Sequence, residues 1–241
     1  MATLLQVAFV YPPEGSSISG SISKSAPLVS TLLIVPTPFE LEFLSSSFRE
    51  QINESDCQME LCGFGLVLSA VRTSQLIARY SPKQVLLIGI AGTLDDRFPI
   101  GHAFQFNEIE CFGIGAGSGD QYVSAHEMGW RQWTQEPEIS GSILLLERDR
   151  DDLVNQSGTL LTCCSASATA QDVQLKRKKH PNAVAEDMEG FAVAAACRLA
   201  GVSLTIVRGI SNRAGDRNKE NWRVAKAMLS VEKETRKVLT L

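Results

Sequence analysis

Three short apolar runs constrain the fold of this chain more than any other feature. They lie at residues 31–35, 85–90 and 204–210, and β-branched residues are common in them. The first two are apolar at consecutive positions and the third is mostly so. Both faces of each strand would therefore be buried, as happens when a sheet lies between two layers of helices. The runs favour an α/β fold.

Longer segments with a helical pattern alternate with these strands. This alternation predicts one α/β domain, in which helices flank both faces of a mixed, largely parallel sheet. In the helix at 67–80 we expect Leu68, Val71, Leu76 and Ile77 to form the apolar face, and we expect Gly201 to cap the helix at 188–200. The predicted helices are 39–48, 67–80, 168–179, 188–200 and 222–239. Weaker strands are predicted at 60–64, within 103–112, at 143–146 and at 159–162.

The first 30 residues differ in composition from the rest. Residues 12–30 are rich in Ser, Gly and Pro and have no periodicity, so residues 1–30 are interpreted as a flexible leader and residues 31–241 as the folded domain. Residues 1–10 are apolar but lack a preceding basic residue, so a signal peptide is not expected. No apolar stretch approaches the ~18 residues of a membrane span, and no membrane partner is expected.

Composition narrows the classes of function. The net charge is −4, and the short basic run at 176–180 is interpreted as a solvated helix end, so a nucleic-acid partner is not expected. Six cysteines occur without a CxxC pair, and there are only three histidines. We therefore expect reduced, mostly buried thiols in a cytoplasmic protein, with no metal site and no cofactor.

Polar residues at the ends of the predicted strands are the candidates for chemistry, because ligands collect at the carboxyl ends of strands in such folds. Glu40 follows the first strand, a GIAG segment at 89–92 follows the second, and Ser211 and Asn212 follow the last. The segment DMEG at 187–190 precedes a predicted buried helix. Arg208 lies inside an apolar strand, where a guanidinium needs partners.

Two of these segments resemble a known family. EDMEG at 186–190, followed by VRGISN at 207–212, is similar to the paired signature of the purine nucleoside phosphorylase and nucleosidase superfamily. The resemblance runs from residue 31 to the end of the chain. It implies cleavage of an N-glycosidic bond, a small-molecule nucleoside substrate, and a homo-oligomer, for which a dimer is the first expectation.

The resemblance also implies roles for individual residues. Glu189 would bind the ribose 2′- and 3′-hydroxyls above an apolar wall supplied by Met188, and Arg208 would tune the carboxylate of Glu40. Glu40 would activate the nucleophile, with Glu42 the next candidate for this base. Asn212 would be catalytic together with Glu40 and Arg208 and would face N7 and O6 of the base. The other residues expected to line the substrate are Ser211, Ala166, Ser167, Ile90 and Ala91. Purely structural roles remain open for Glu189 as a first-turn acid, for Glu40 as a solvated residue and for Met188 in the core.

The loop after the first strand and the GIAG segment indicate whether the nucleophile is water or phosphate. Many phosphorylases of the superfamily carry Ser at the position of Ile90, and the loop at 36–40 contains no Arg. A phosphate dianion needs several charge-assisted donors. We therefore expect water as the nucleophile, with phosphorylase activity as an alternative.

The identity of the base depends on Asn212. Related methylthioadenosine and S-adenosylhomocysteine nucleosidases end the second motif in Asp, whereas an amide can donate to O6 of a 6-oxopurine and accept from a protonated N7. The segment RAGDRNKENW at 213–222 resembles that of futalosine hydrolases, which implies release of hypoxanthine in menaquinone biosynthesis. Arg217, Lys219 or Arg213 would then meet the benzoate of the substrate. An adenosine-type nucleosidase and a non-catalytic binding protein remain alternatives.

One glycine-rich segment is set aside. GIGAGSG at 113–119 lacks the last glycine of a dinucleotide fingerprint, and no helix is predicted to follow it directly. A mobile loop near the substrate is the favoured interpretation.

Overall fold

The computed structural model describes residues 29–145 and 158–241. The strands are β1 (Thr31–Val35), β2 (Cys57–Leu61), β3 (Gln84–Thr93), β4 (Ala103–Phe106), β5 (Glu108–Phe112), β6 (Gly115–Ala116), β7 (Val123–Ser124), β8 (Ser142–Leu144), β9 (Thr159–Cys163), β10 (Ala183–Asp187) and β11 (Ser203–Arg213). The helices are α1 (Pro38–Glu42), α2 (Ser46–Glu54), α3 (Gly65–Tyr80), α4 (Ala170–Lys179), α5 (Gly190–Ala200) and α6 (Val224–Leu239). Apart from its last two residues, the leader predicted at 1–30 lies outside the described residues.

Within the described residues, nine strands form one mixed sheet. Its main path runs β2-β1-β3-β10-β9-β5-β8, and β11 pairs with both β3 and β4. The pairs β1–β2, β1–β3, β3–β11, β9–β10 and β5–β9 are parallel, whereas β3–β10, β4–β11 and β5–β8 are antiparallel. The predicted mixed, largely parallel sheet is confirmed.

The alternation of side chains along β1 explains why helices cover both faces of the sheet. Leu32 and Ile34 belong to a core formed with α3 and α5. Leu33 and Val35 point the other way, into a core formed with α2 and α6. All four side chains are fully buried. Gly209 lets α6 approach closely, because a Cβ there would lie 2.6 Å from the carbonyl oxygen of Ala227.

The helix predicted at 39–48 is two helices. Thr37 caps α1, and Ser45 caps α2 by accepting a hydrogen bond from the backbone N–H of Phe48 at 3.2 Å. The hydroxyl of Ser45 also donates to Glu232 on α6 at 2.9 Å. Ser45 is thus fixed by a residue that is distant in sequence, and the chain changes direction there between α1 and α2. The spacing of Leu41, Leu44 and Phe48 is that of one continuous helix, so it gave no sign of this break.

Several strand boundaries also differ from the prediction. β2 begins earlier than residue 60, β3 continues to Thr93 instead of ending at residue 90, and the strand expected within 103–112 is divided into β4 and β5. β10 was not predicted, because it ends in two acids, Glu186 and Asp187, and acidic residues are not expected in a buried strand. The following helix begins at Gly190 instead of Met188, and Gly201 caps it in a left-handed conformation as predicted.

The buried face of α3 is not the predicted one. Leu76 and Ile77 are buried as expected, but Leu68 and Val71 are 57% and 52% exposed. Small polar side chains face inward instead, with Ser69 fully buried and its hydroxyl donating to the carbonyl of Gly65 at 2.7 Å. Local back-bonding of this kind satisfies a hydroxyl without a distant partner.

Two further expectations concern charge and cysteine. Lys176, at the start of the basic run, is buried instead of solvated, and it pairs with Glu186. All six cysteines are free thiols, and four of them are buried. Among the described helices, none combines the length and the apolar character that crossing a bilayer requires.

Candidate active site

A buried cluster of charges lies where β1, β10 and β11 approach their carboxyl ends. It consists of three carboxylates and one guanidinium, contributed by Glu40 on α1, Asp187 on β10, Glu189 before α5 and Arg208 on β11. Each of the three acids is only 5% exposed, and Arg208 is completely buried. Charges buried to this extent must compensate one another.

Asp187 is the principal partner of Arg208. Nε and Nη2 of the guanidinium donate to Asp187 Oδ2 at 3.0 and 2.6 Å, and Nη2 also lies 3.3 Å from Glu189 Oε2. The other oxygen of Asp187 accepts a hydrogen bond of 2.6 Å from the hydroxyl of Thr162 on β9. Arg208 Nη1 has no hydrogen-bond partner among the described residues.

Glu40 is held by the turn that begins α1. Thr37 caps the helix by accepting from the backbone N–H of Glu40, and its hydroxyl donates to Glu40 Oε2 at 2.6 Å. The N–H of Ile90 donates to Glu40 Oε1 at 3.0 Å. Glu42, the alternative base, is exposed on the same helix. Of these two acids, only Glu40 therefore contacts the cluster.

Gly89 separates Glu40 from Arg208. It is opposite Arg208 in the register of β3 and β11. A Cβ at this position would collide with Arg208 Nη1 and would lie 2.5 Å from Glu40 Oε1. The absence of a side chain therefore lets Nη1 and Oε1 both come close to the same position on β3.

Burial governs the electrostatics of the cluster. Desolvation raises the pKa of Glu40, although Arg208 and the hydrogen bonds from Thr37 and Ile90 oppose it. Desolvation likewise raises the pKa of Glu189 to about 7; Arg208 lowers it, and the carboxylates of Asp187 and Glu40 raise it further. Three acids share one cation, so the cluster favours holding a proton near neutral pH.

Glu189 connects this cluster to α3. Its Oε1 accepts a hydrogen bond of 3.0 Å from the backbone N–H of Gly65, the first residue of that helix. Glu189 occupies the N-cap position of α5 but does not cap it with its side chain. The first turn of α5 itself contains no acid. Met188, beside it, is half-buried.

Asn212 lies further along the same edge, against Gly92 of β3. It is half-buried; its Oδ1 accepts from the hydroxyl of Ser211 at 2.7 Å, and its Nδ2 donates to the carbonyl of Arg213 at 2.8 Å. The hydroxyl of Ser211 is also 3.3 Å from the carbonyl of Ala91. One N–H and one lone pair of the amide remain for a ligand.

Ala166 and Ser167 lie between β9 and α4. Ala166 is exposed and Ser167 is buried. Ser167 donates both its backbone N–H and its hydroxyl to Glu186, at 2.8 and 2.7 Å. These two hydrogens are therefore committed within the chain, and Ser167 can contact a ligand only as an acceptor, through its carbonyl group or its hydroxyl oxygen.

The residues that hold the cluster together do not stand out in the sequence. Asp187 is visible there only as part of a motif, and no pattern singles out Thr37 or Thr162. A signal for Asp187 existed, since a buried Arg208 requires an acid, but several acids could have served. No group of three or more His, Cys, Asp or Glu side chains in residues 29–145 and 158–241 is arranged to hold a metal ion.

Comparisons with known proteins agree with this architecture. A futalosine hydrolase from Streptomyces coelicolor is 30% identical over 147 residues, which cover 61% of each chain. A 5′-methylthioadenosine/S-adenosylhomocysteine nucleosidase from Staphylococcus aureus is 26% identical over 153 residues, 63% of this chain and 66% of that one. The chain thus spans about three fifths to two thirds of the length of these curated relatives.

Solved structures share the fold over most of their length. The methylthioadenosine/S-adenosylhomocysteine nucleosidase of Neisseria meningitidis, in complex with methylthio-immucillin-A, has a TM-score of 0.68 at 18% identity and covers 88% of this chain and 100% of its own. The futalosine hydrolase of Helicobacter pylori has a TM-score of 0.62 at 16% identity, with 86% and 98% covered. The profile of the Phosphorylase superfamily matches residues 32–241. This chain therefore belongs to the Phosphorylase superfamily.

Proposed function

We propose that this protein hydrolyses the N-glycosidic bond of a purine nucleoside, with water as the nucleophile. The observation that carries the proposal is the convergence of Glu40 Oε1 and Arg208 Nη1 on the space beside Gly89, next to the buried carboxylate of Glu189. A base, a hydrogen-bond donor and a second carboxylate are the groups that hydrolysis of a glycoside needs. The relatives named above, as hydrolase and nucleosidases, support the same reaction.

Glu189 has the role of holding the ribose. Its ionised carboxylate accepts hydrogen bonds from the 2′- and 3′-hydroxyls, and its negative charge stabilises the positive charge that develops on the sugar in the transition state. Met188 packs under the ribose as an adaptable apolar surface.

Glu40 activates the water. Its carboxylate removes a proton as the water oxygen attacks C1′, while Arg208 Nη1 donates to the same oxygen and orients it. The bond between C1′ and the purine nitrogen breaks, and its electron pair leaves with the base. The departing purine anion takes a proton at N7 from solvent, and Glu40 returns to solvent the proton that it removed from the water. Asn212 accepts a hydrogen bond from the N7–H and donates to O6.

Other residues would complete the binding of the base. Ser211 orients the amide of Asn212 through the 2.7 Å hydrogen bond between them. The main chain of Ala166 and Ser167 contacts the purine edge. Ile90 and Ala91 provide the adjoining wall of β3.

The charges of the site favour water over phosphate. The cluster contains three carboxylates, and two of the three guanidinium nitrogens of Arg208 are already committed to Asp187 and Glu189. A phosphate dianion at this point would be repelled and would find one free donor group. Ile90 contributes an apolar side chain and uses its N–H to bind Glu40.

Futalosine is the substrate that we propose, with hypoxanthine and dehypoxanthine futalosine as products in menaquinone biosynthesis. A cleft of about 630 Å³ lies between α1 and the start of α6, and we propose that it takes the benzoate of futalosine. None of the four cluster residues lines it, but Phe39 immediately precedes Glu40, and the N–H of Arg223 donates to the carbonyl of Ser211 at 2.7 Å. Its lining is aromatic and cationic and comprises Phe39, Phe43, Trp222, Lys219, Arg223 and Lys226, with Val224 and Ala225.

The three cations suggested for the benzoate differ in placement. Lys219 lines this cleft, and the guanidinium of Arg217 lies 5.9 Å from the centre of the Trp222 ring. Arg213 is exposed and pairs with Asp96. Lys219 and Arg217 are therefore the better candidates. Methylthioadenosine or S-adenosylhomocysteine is the alternative substrate, favoured by the relative from Staphylococcus aureus.

We also propose that two copies of the chain associate. The start of α3 exposes an apolar surface formed by Phe64, Val67, Leu68 and Val71, with exposed fractions between 52% and 72%. This surface adjoins Gly65, whose N–H binds Glu189. Light scattering is expected to give the mass of a dimer, and Val67→Asp is expected to shift that mass toward the monomer.

We also propose that the protein works in a reducing cytoplasm, which agrees with its six free thiols.

The substrate assignment is tested by incubating the purified protein with futalosine, methylthioadenosine and inosine in parallel, with and without phosphate. Released base is followed by chromatography. Hypoxanthine released from futalosine alone, at the same rate without phosphate, is the expected result. Adenine from methylthioadenosine would favour the alternative substrate. A requirement for phosphate would overturn the hydrolytic mechanism.

A further inference from the structure

A second buried charge pair lies on the opposite face of β10 from the catalytic cluster. Glu186 and Asp187 are adjacent, so their side chains point to opposite faces of the strand. Asp187 meets Arg208, whereas Glu186 Oε2 meets Lys176 Nζ of α4 at 2.7 Å. The two side chains of this pair are 5% and 4% exposed.

This pair holds the segment between β9 and α4, residues 164–169, at two points. Lys176 Nζ donates to the carbonyl of Ser165 at 3.0 Å. Glu186 accepts the N–H and the hydroxyl of Ser167, one at each carboxylate oxygen. Ala166, between these two anchored residues, is exposed. The backbone around Ala166 is thereby fixed by a carboxylate on one side and an ammonium group on the other.

The same segment is also held against the end of β11. A Cβ on Gly215 would lie 2.8 Å from the carbonyl oxygen of Thr169, and Gly215 has a φ of +82° that favours glycine. Gly215 follows Asn212 by only three residues. Residues 164–169 and the Asn212 segment are therefore packed neighbours at one edge of the sheet.

Stability alone does not account for a charge pair in this position. Replacing a buried ion pair by apolar side chains of similar size is often neutral or stabilising, because desolvation offsets the attraction between the charges. The contacts of Lys176 and Glu186 with Ser165 and Ser167 give the pair a different use, which is to fix the backbone of a loop.

We propose that Glu186 and Lys176 are positioning residues that hold the main chain of residues 165–167 against the purine base. The inference rests on the proposed function, because it assigns this segment to base recognition. The two residues act through the loop and do not touch the substrate. Their loss weakens binding of the base and leaves the groups that act on the sugar, Glu40 and Glu189, in place.

The test is the double variant Lys176→Met/Glu186→Leu, which removes both charges together and leaves neither unpaired. Because the N–H and the hydroxyl of buried Ser167 lose their acceptor, its unfolding temperature is expected to fall, by roughly 2–4 °C for each kcal/mol lost, while the variant stays folded at the assay temperature. For the nucleoside that the parent hydrolyses, KM is expected to rise at least tenfold while kcat changes less than about threefold. The affinity for free hypoxanthine, measured by calorimetry, is expected to fall by a similar factor.

Two further variants control for nonspecific effects. Lys179→Met/Glu127→Gln removes an exposed ion pair between the same helix, α4, and the loop after β7, and it is expected to leave KM unchanged. Lys176→Arg retains a cation beside Glu186 and is expected to restore KM to within about threefold of the parent.

The outcomes separate this proposal from the proposed function. Unchanged KM and unchanged hypoxanthine affinity in the double variant would overturn the positioning role, even with an active parent. A lower kcat at unchanged KM would also overturn it. If the parent hydrolyses no nucleoside but binds hypoxanthine, the proposed function fails, and the loss of hypoxanthine affinity in the double variant still supports the positioning role. A parent that neither binds nor cleaves purines contradicts both.

Discussion

Arg208 donates from two nitrogens to a single carboxylate oxygen of Asp187, at 3.0 and 2.6 Å, with both side chains completely buried. The remaining oxygen of Asp187 is bound by Thr162. This arrangement fixes the guanidinium in one orientation and leaves Nη1 facing Gly89 and Glu40. The position of the donor that we propose for the attacking water therefore depends on Asp187.

Asp187→Asn is expected to destabilise the protein severely. The amide removes the negative charge and leaves Arg208 buried with incomplete compensation, which typically costs about 3–5 kcal/mol. The free energy of unfolding in urea measures this loss. Asp96→Asn is the matched control, because it breaks an exposed pair with Arg213 and is expected to cost less than about 1 kcal/mol. Equal effects of the two substitutions would contradict the assigned role of Asp187.

Glu40→Gln is expected to lower kcat by a factor of about 10² to 10⁴, the usual contribution of a general base. Gln has the same shape but cannot accept the proton of the water. Glu42→Gln, on the exposed side of the same helix, is the control and is expected to keep full activity. The measurement is release of base in phosphate-free buffer. A large loss of activity in Glu42→Gln would show that Glu42, and not Glu40, is the general base.

Glu189 is expected to make stability depend on pH. Burial raises the pKa of its folded-state carboxyl from 4.5 to about 7, so the folded state binds this proton more tightly than the unfolded chain does. Its contribution to stability is therefore complete below about pH 4.5 and is lost as pH rises through about 7. The stability of Glu189→Gln relative to the parent should increase across that window, as urea unfolding at several pH values would reveal.

The activity should change in the opposite direction over the same range. In the proposed mechanism the ionised form of Glu189 binds the ribose hydroxyls, so kcat/KM is expected to fall as pH drops below about 7. A stability difference between the parent and Glu189→Gln that stays constant from pH 4.5 to 8 would contradict the raised pKa.

Gly89→Ala is expected to reduce kcat/KM by at least a hundredfold. The added methyl group would collide with Arg208 Nη1 and lie 2.5 Å from Glu40 Oε1, and it would fill the space assigned to the attacking water. Gly92→Ala lies on the same strand, where its methyl group would meet nothing closer than 3.5 Å. Steady-state kinetics of the two variants test whether the attacking water binds beside Gly89. Equal activities of the two variants would show that it does not.

Asn212→Asp is expected to shift the preference from 6-oxopurine to 6-aminopurine nucleosides. A protonated Asp donates to N7 and accepts from a 6-amino group, whereas it repels O6 when ionised. The ratio of kcat/KM for methylthioadenosine to that for futalosine should rise at least tenfold. An unchanged ratio would mean that Asn212 does not select the base.

The sequence alone determined the fold class, because consecutive apolar residues in β1, β3 and β11 can be buried only between two layers of helices. It also indicated that Arg208 needs buried partners and that Glu40 follows a strand end. These inferences depend on local composition and on the order of residues, both of which can be read from the sequence. The superfamily resemblance added the roles proposed for Glu189 and Asn212.

Only the tertiary structure decided how the charges are paired. It selected Asp187 for Arg208, buried Glu40 while leaving Glu42 in solvent, and turned Lys176 from an expected surface residue into the partner of Glu186. The inward face of α3, with Ser69 in place of Leu68, was decided in the same way. In each case burial depends on contacts between segments that are distant in sequence, and a polar residue can be buried wherever such a contact satisfies it.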